Sequence, residues 1–320
     1  MVKLTVFFIF LAIASLDALA FPIFEPRRGS TSKLNTTEVA AYEPYTYFAS
    51  IAGCEPSLTR DWTCGAKCEK LSNFVPVASG GDGGRVQWWY VGYDKSLAEI
   101  IVGYEGTDPK RIESIQTDLD VIRDNPDPTL FPGLSSKVKT HNGFGEAHAR
   151  YLIFGGSNTS VVSIWSRSAN EVLDAVVTAM QESGFTNVTT VGHSLGAALA
   201  LISAVHLKHW LNESTVIRSI GYGMPRVGNQ AFVDYVNSKF KGLNVRINNK
   251  EDPIPIVPGR RFGFAHTDTE IHIGHDNQWT KCEGQDNTSS ECTIGYVPDF
   301  HTNISYHNGP YGNVFMRCAE

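Results

Sequence analysis

Apolar positions along the chain repeat with two periods. Val86-Gln-Trp-Trp-Tyr-Val91 and Ala98-Glu-Ile-Ile-Val-Gly103 are β-rich runs separated by a turn at Asp94-Lys95, a pattern that predicts two strands paired as an antiparallel edge. From Ser168 to Ser183 the apolar residues Val172, Leu173, Val176, Val177 and Met180 fall at helical spacing, and Gly184 ends the run. Val188-Thr-Thr-Val191 is a short β-rich run, followed by a glycine-rich turn and a second helix over Ala197 to Leu207. Strands are predicted again at Arg218–Tyr222 and Asn244–Asn248, with a helix from Asn229 to Phe240 between them. Strands that alternate with helices need crossover connections, which implies an α/β fold around a largely parallel, buried sheet.

The start of the chain adds a compartment. Lys3 precedes an apolar stretch from Leu4 to Leu16, and Ala18-Leu19-Ala20 has the small residues of a cleavage site, so residues 1–20 read as a secretory signal peptide. The stretch is too short to span a bilayer comfortably and Asp17 interrupts it, so no transmembrane segment is expected in the mature protein. Arg27-Arg28 offers a second cut, making residues 21–44 a propeptide or N-terminal extension. No repeat or polar linker interrupts the chain after Tyr45, and residues 45–320 read as one domain. Cys54, Cys64, Cys68, Cys282, Cys292 and Cys318 suit an oxidising compartment, although the sequence leaves their pairing open. Cys64-Gly-Ala-Lys-Cys68 has no matching second half, which argues against zinc. Sequons at Asn35, Asn158, Asn187, Asn212, Asn287 and Asn303 suit a secreted glycoprotein. A formal charge of −6 provides no basic field for nucleic acid.

The sharpest chemical feature is Gly192-His193-Ser194-Leu195-Gly196, set between a strand and a helix of small residues. A tight strand-to-helix turn lifts a serine hydroxyl out of the sheet, and flanking glycines let backbones approach closely. The new helix directs its N-terminal N–H groups at the place where an oxyanion would develop. A serine nucleophile needs a base, and the base an orienting acid, here in the order Ser, Asp/Glu, His. In Lys250-Glu-Asp-Pro-Ile-Pro-Ile-Val-Pro258, just past a strand end, Asp252 is preferred over Glu251 because it is shorter and precedes a proline. Asp234 lies in a helix pattern and reads as a surface charge. For the base, His301 and His307 are the late candidates. His272-Ile-Gly-His275 could suggest a metal, but Thr269-Glu-Ile-His-Ile273 alternates like a strand, so no metal is expected. His206 and His209 share a helix and read as surface or partner histidines.

Several segments together resemble the fungal class 3 lipase family, which includes feruloyl esterases and mono- and diacylglycerol lipases. Tyr104-Glu-Gly-Thr107 resembles its oxyanion strand end and Thr140-His-Asn-Gly-Phe144 its histidine-glycine-phenylalanine helix start. Thr190–Leu199 resembles its elbow and Tyr222-Gly-Met-Pro-Arg-Val-Gly-Asn229 the segment after it. Asp252–Pro258 is similar to its acid loop, and Phe262–His266 with Glu270 to its next strand. The resemblance implies an α/β-hydrolase fold, with a mostly parallel central sheet, helices on both faces and an antiparallel edge. It implies Ser194 as nucleophile, Asp252 as acid and His307 as base, with backbone N–H groups of Thr107 and Leu195 as oxyanion donors. His307 is preferred over His301 because His307-Asn-Gly-Pro-Tyr-Gly312 resembles the family's ending. His141 and His193 match family positions and read as structural hydrogen-bonders. The cysteine layout implies Cys54–Cys318, Cys64–Cys68 and Cys282–Cys292. No cofactor is implied.

Three departures stand out. Glu105 replaces the arginine that many relatives carry, the stretch from Asn125 to Ser136 lengthens a loop, and Phe144 to Gly192 is longer by roughly fifteen residues. The surplus falls at residues 155–167, as a surface loop or as retained non-coding sequence. Between Lys110 and Ile122, Ile112, Ile115, Leu119 and Ile122 form one apolar helical face, either packed on the core or acting as a lid over Ser194. The expectation is a secreted ester hydrolase, a lipase cleaving acylglycerols at an oil–water interface. The alternatives are a feruloyl or other soluble-ester esterase and a non-catalytic binding protein that kept the fold.

Overall fold

A computed structural model of the chain describes residues 29–84, 86–107, 122–149, 167–299 and 302–318. The expected signal peptide (residues 1–20), residues 110–121 of the amphipathic stretch 110–122, residues 155–166 of the expected insert 155–167, and His301 lie outside the described residues.

The strands are β1 (Thr31–Lys33), β2 (Phe74–Gly80), β3 (Trp89–Asp94), β4 (Glu99–Tyr104), β5 (Arg123–Asp124), β6 (Thr140–His141), β7 (Val188–His193), β8 (Ile217–Tyr222), β9 (Asn244–Asn249), β10 (Glu270–Ile273) and β11 (Trp279–Cys282). The principal helices are α1 (Glu43–Ile51), α2 (Asn142–Ala149), α3 (Arg167–Ser183), α4 (Leu195–Trp210) and α5 (Gln230–Phe240). Among the described residues one sheet runs β1-β11-β10-β9-β8-β7-β4-β3-β2, and β5 pairs only with β6. Strands β4, β7, β8, β9 and β10 are mutually parallel, which is the expected mostly parallel sheet. The antiparallel pairing of β2, β3 and β4 forms one edge. A second antiparallel edge, β10-β11-β1, was not expected, and its outermost strand comes from the segment upstream of Tyr45.

The pleat explains how the core divides. Successive residues of β4 point to opposite faces. Ile100 and Val102 join Val172 and Val176 of α3, Ala198 and Leu201 of α4, and Phe232 and Val236 of α5 on one side. Ile101 joins Phe48 and Ile51 of α1, Val191, Ile220 and Ile247 on the other. A run such as Ile100-Ile101-Val102 is therefore apolar throughout because both faces are covered. Asn229 caps α5, its side chain accepting from the Phe232 N–H at 3.0 Å.

Three disulfides tie the periphery: Cys54–Cys318, Cys64–Cys68 and Cys282–Cys292, with Cα–Cα distances of 4.7, 5.3 and 5.9 Å. Beside the first, the buried Lys67 ammonium donates to Ser50 Oγ and to the carbonyls of Phe315 and Arg317, at 2.8, 3.0 and 2.7 Å. The C-terminal segment is thus held by a charge-assisted fork as well as a covalent bond. No helix of the described residues is long and apolar enough to cross a membrane.

Candidate active site

The elbow stands where β7 hands over to α4, at the carboxyl edge of the parallel strands. Ser194 has φ 58° and ψ −126°, a strained conformation for a residue with a Cβ. Neighbouring glycines make it fit. A Cβ on Gly192 would stand 2.2 Å from the Gly196 carbonyl oxygen, and one on Gly196 would stand 2.2 Å from that of Tyr104. The Ser194 N–H donates to the Tyr222 carbonyl at 2.9 Å, fixing the turn against β8. Leu195 is the first residue of α4, so its N–H belongs to the unpaired amino end of the helix.

The end of β4 comes alongside. A Cβ on Gly106 would lie 3.3 Å from Ser194 Cβ and 2.6 Å from the His193 carbonyl oxygen. Thr107 follows immediately, and its hydroxyl is buried without a hydrogen-bond partner among the described residues. Glu105, the residue that replaces the relatives' arginine, is engaged elsewhere: its Oε2 accepts from the Trp88 N–H at 2.9 Å. The carboxylate thereby pins the β2–β3 connection to the end of β4.

Asp252 lies just beyond β9 and is fully buried, as is His307. His307 Nδ1 donates to Asp252 Oδ2 at 2.8 Å, while Asp252 Oδ1 accepts from the Ile254 N–H at 2.9 Å. The other ring nitrogen of His307, Nε2, is buried and has no partner among the described residues. A ring held at Nδ1 by a carboxylate presents a lone pair at Nε2, which is the arrangement of a general base. The loop that carries His307 is itself fixed. Asn249 Nδ2 donates to the Tyr306 carbonyl at 2.9 Å, and Thr302 Oγ1 to the Glu251 carbonyl at 2.7 Å. His193 Nε2 donates to the His307 carbonyl at 2.7 Å, with the two rings 4.3 Å apart. Burial, reinforced by the neighbouring His307, pushes the His193 imidazole well below its usual range, so it serves as a neutral donor. Gly223, at φ 57°, admits the His307 ring: a Cβ there would meet Nδ1 and Cε1 at 2.8 Å.

A family model for lipase (class 3) matches residues 101–262, just over half of the chain. The chain belongs to the class 3 lipases. It is a secreted serine ester hydrolase acting on lipid esters. This lipase is 29% identical over 310 residues to a secreted mono- and diacylglycerol lipase of Malassezia restricta, covering 91% of each chain. A secreted mono- and diacylglycerol lipase of Malassezia globosa is 27% identical over 258 residues, covering 78% of this chain and 79% of that one. Among solved structures, lipase II from Rhizopus niveus superimposes with a TM-score of 0.73 at 22% identity, covering 90% of this chain and all of that one. The Lip2 lipase of Yarrowia lipolytica gives 0.72 at 21%, covering 92% and 99%. These two carry the α/β-hydrolase fold.

The remaining histidines of this lipase have other tasks. His272 is buried in β10, with its ring nitrogens 3.0 and 2.9 Å from the Glu291 and Lys250 carbonyls, so neither faces a metal position. His275 pairs with Glu251 at 2.7 Å in a half-exposed contact. His206 corrects the surface expectation: it is fully buried, because α4 is enclosed on nearly every side and has no solvent face at that position. Asp234 is exposed, as its helix pattern implied. Glu270, Cys282 and Cys292 converge closely enough to suggest a cation site, but their sulfurs are bonded to each other and offer no thiolate.

Sequence reasoning missed the support beneath the acid loop. Arg226, fully buried, binds Asp286 Oδ1 at 2.7 Å and donates to the carbonyls of Ile256 and Pro258. Burial alone would raise the Asp286 pKa, but the Arg226 guanidinium holds that carboxyl well below its usual range. His266 Nε2 donates to the Pro255 carbonyl at 2.6 Å. The signal was present as the arginine of Pro225-Arg226-Val227, but nothing local distinguishes a buried arginine from an exposed one.

Proposed function

We propose that this lipase hydrolyses acylglycerols at a lipid surface, with Ser194 as nucleophile, His307 as general base and Asp252 as the acid that orients it. Nε2 of His307 takes the Ser194 proton as Oγ bonds to the ester carbonyl carbon, and the carbonyl π pair moves onto oxygen. Backbone N–H groups of Thr107 and Leu195 receive that oxyanion, and the Thr107 hydroxyl adds a third donor. In comparable sites one such donor contributes about 3–4 kcal/mol. Collapse breaks the bond to the glycerol oxygen, which leaves with the proton held by His307. Water then attacks the acyl-enzyme with His307 again as base, releasing the fatty acid and restoring Ser194. Asp252 keeps Nδ1 protonated, so Nε2 is always the nitrogen that exchanges the proton.

The observation that carries this reading is the His307 ring, whose Nδ1 is committed to a buried carboxylate while its buried Nε2 has no partner. Mono- and diacylglycerols are the first substrates to try, since the similar Malassezia enzymes are named for them. Ile122, the last member of the apolar stripe, is 53% exposed and suits a lipid-facing stretch. Ser194→Ala is expected to lower hydrolysis of emulsified diacylglycerol and of p-nitrophenyl butyrate by about a thousandfold or more. A variant that keeps a tenth of the rate overturns the nucleophile. Methyl ferulate cleaved faster than any acylglycerol replaces the lipase reading with that of a soluble-ester esterase.

A further inference from the structure

We propose that the turn following the acid loop is a docking face selective for anionic lipid surfaces, a reading that rests on the lipid-surface function above. The turn is Arg260–Phe262, one residue past the loop that Arg226 braces from below. Arg261 lays its guanidinium over the Phe262 ring at 4.7 Å, and that ring is 38% exposed. Arg123 reaches the same turn from the β5–β6 hairpin. Its Nη1 donates to the Gly263 carbonyl at 2.8 Å, and its guanidinium lies over Phe264 at 5.4 Å. Beside Arg123, Ile122 stands exposed.

The guanidiniums of Arg123 and Arg261 and the apolar Phe262 and Ile122 therefore gather at one turn and hairpin, with half-buried Arg260 opening the turn. None of the three arginines forms an ion pair among the described residues. The contrast with other arginines is clear: Arg218, Arg226 and Arg246 are each paired with a carboxylate. Exposed Asp124 is the nearest acidic neighbour along the hairpin, and Asp127 further on has its Oδ1 engaged by Thr129. The face borders the candidate active site. Bridges from Thr140 to Gly228 and from Gly228 to Ala265 draw the hairpin and the turn together beyond the carboxyl ends of β8 and β9.

Charge selects the partner. With a formal charge of −6, the molecule as a whole is repelled by an anionic surface, so attraction has to be local. Guanidinium groups bind phosphate and carboxylate oxygens in paired hydrogen bonds, and an aromatic ring beside them suits the headgroup level. Each arginine near an anionic bilayer favours binding by about fivefold, so three together are worth up to about a hundredfold. A surface of neutral lipid gains only the burial of Phe262 and Ile122.

The test is co-sedimentation of the full secreted protein with vesicles of phosphatidylcholine alone, or with about one-third phosphatidylglycerol, at low and high salt. Hydrolysis of monomeric p-nitrophenyl butyrate is followed in parallel. Binding to the anionic vesicles should be at least about tenfold tighter at low salt and should lose most of that advantage at high salt. R260Q/R261Q, which leaves Arg123, should cut the preference to about fivefold or less, R260K/R261K should keep most of it, and both should hydrolyse the monomeric ester at the parent rate. Equal binding to both vesicles, or an unchanged preference in R260Q/R261Q, overturns the docking face while leaving the lipase reading intact. No binding to either vesicle, with no gain on emulsified substrate, overturns the lipid-surface function and this proposal with it.

Discussion

His193 and Tyr311 both donate to the carbonyl of His307, so this residue, proposed above as the base, is gripped through its backbone as well as through its ring. Among the described residues Asp252 is the one side chain hydrogen-bonded to a ring nitrogen of His307, and in the proposed mechanism it sets which nitrogen carries the proton. Asp252→Asn preserves shape but allows the wrong tautomer, and kcat on a soluble ester should fall by about three to four orders of magnitude with the circular dichroism unchanged. A loss smaller than tenfold means another carboxyl orients His307. Gly223 is a second lever, because any Cβ there both strains a positive φ and strikes the His307 ring. Gly223→Ala should cost more in kcat than in melting temperature. An undiminished kcat removes the steric argument. At this scale the elbow was legible because the sterics of the turn demand glycine at fixed positions. Arg226 and Asp286 were not, because a charged side chain announces nothing about its own burial until its partner arrives from another part of the chain.

Between elements, the packing of α2 on α4 contains a liability. His148 and His206 are buried with their rings 5.6 Å apart, and none of their four nitrogens has a hydrogen-bond partner among the described residues. Burial, then the charge of His209, pulls the His206 pKa down to about 4. Burial and the neighbouring His206 likewise lower that of His148. An unfolded histidine titrates near 6.5, so below that pH the unfolded chain takes protons that the folded one refuses. Stability is therefore full above about pH 6.5 and is lost as the pH falls toward 4, with His206 alone accounting for about 2 kcal/mol between pH 7 and pH 5. In His206→Phe the drop in melting temperature across that interval should shrink by several degrees. An identical drop in parent and variant places the acid sensitivity elsewhere. The helices themselves were visible from their spacing, but a helix apolar all round conceals which of its polar residues are inside. β1 was invisible for the opposite reason: Thr31-Ser-Lys33 has no pattern and exists only because β11 offers it an edge.

Over the whole molecule, both ends of the described chain are stitched to the body. β1 covers the free edge of β11, and the Cys54–Cys318 bond with the Lys67 fork holds the last turn of chain against α1. Cys54→Ser/Cys318→Ser should lose about 2–4 kcal/mol, read as a lower denaturation midpoint, while its room-temperature activity stays near the parent value. A midpoint that does not move leaves the Lys67 contacts as the sufficient clamp. The fold also grades the sequons. Asn35, Asn187, Asn212 and Asn303 are exposed, whereas Asn287 is buried and spends its amide on the Ser30 and Glu283 carbonyls. Glycopeptide mapping should find Asn287 bare. The long disulfide has one more consequence, in the time order of manufacture. Cys54 emerges early in synthesis, and its partner follows 264 residues later. Throughout that interval the early sulfur lacks its native mate, and a chain cut short between Cys292 and Cys318 holds five cysteines, of which one has no partner. The finished enzyme bears none among its described residues. An unfinished chain is thus marked by a thiol that the finished one has spent.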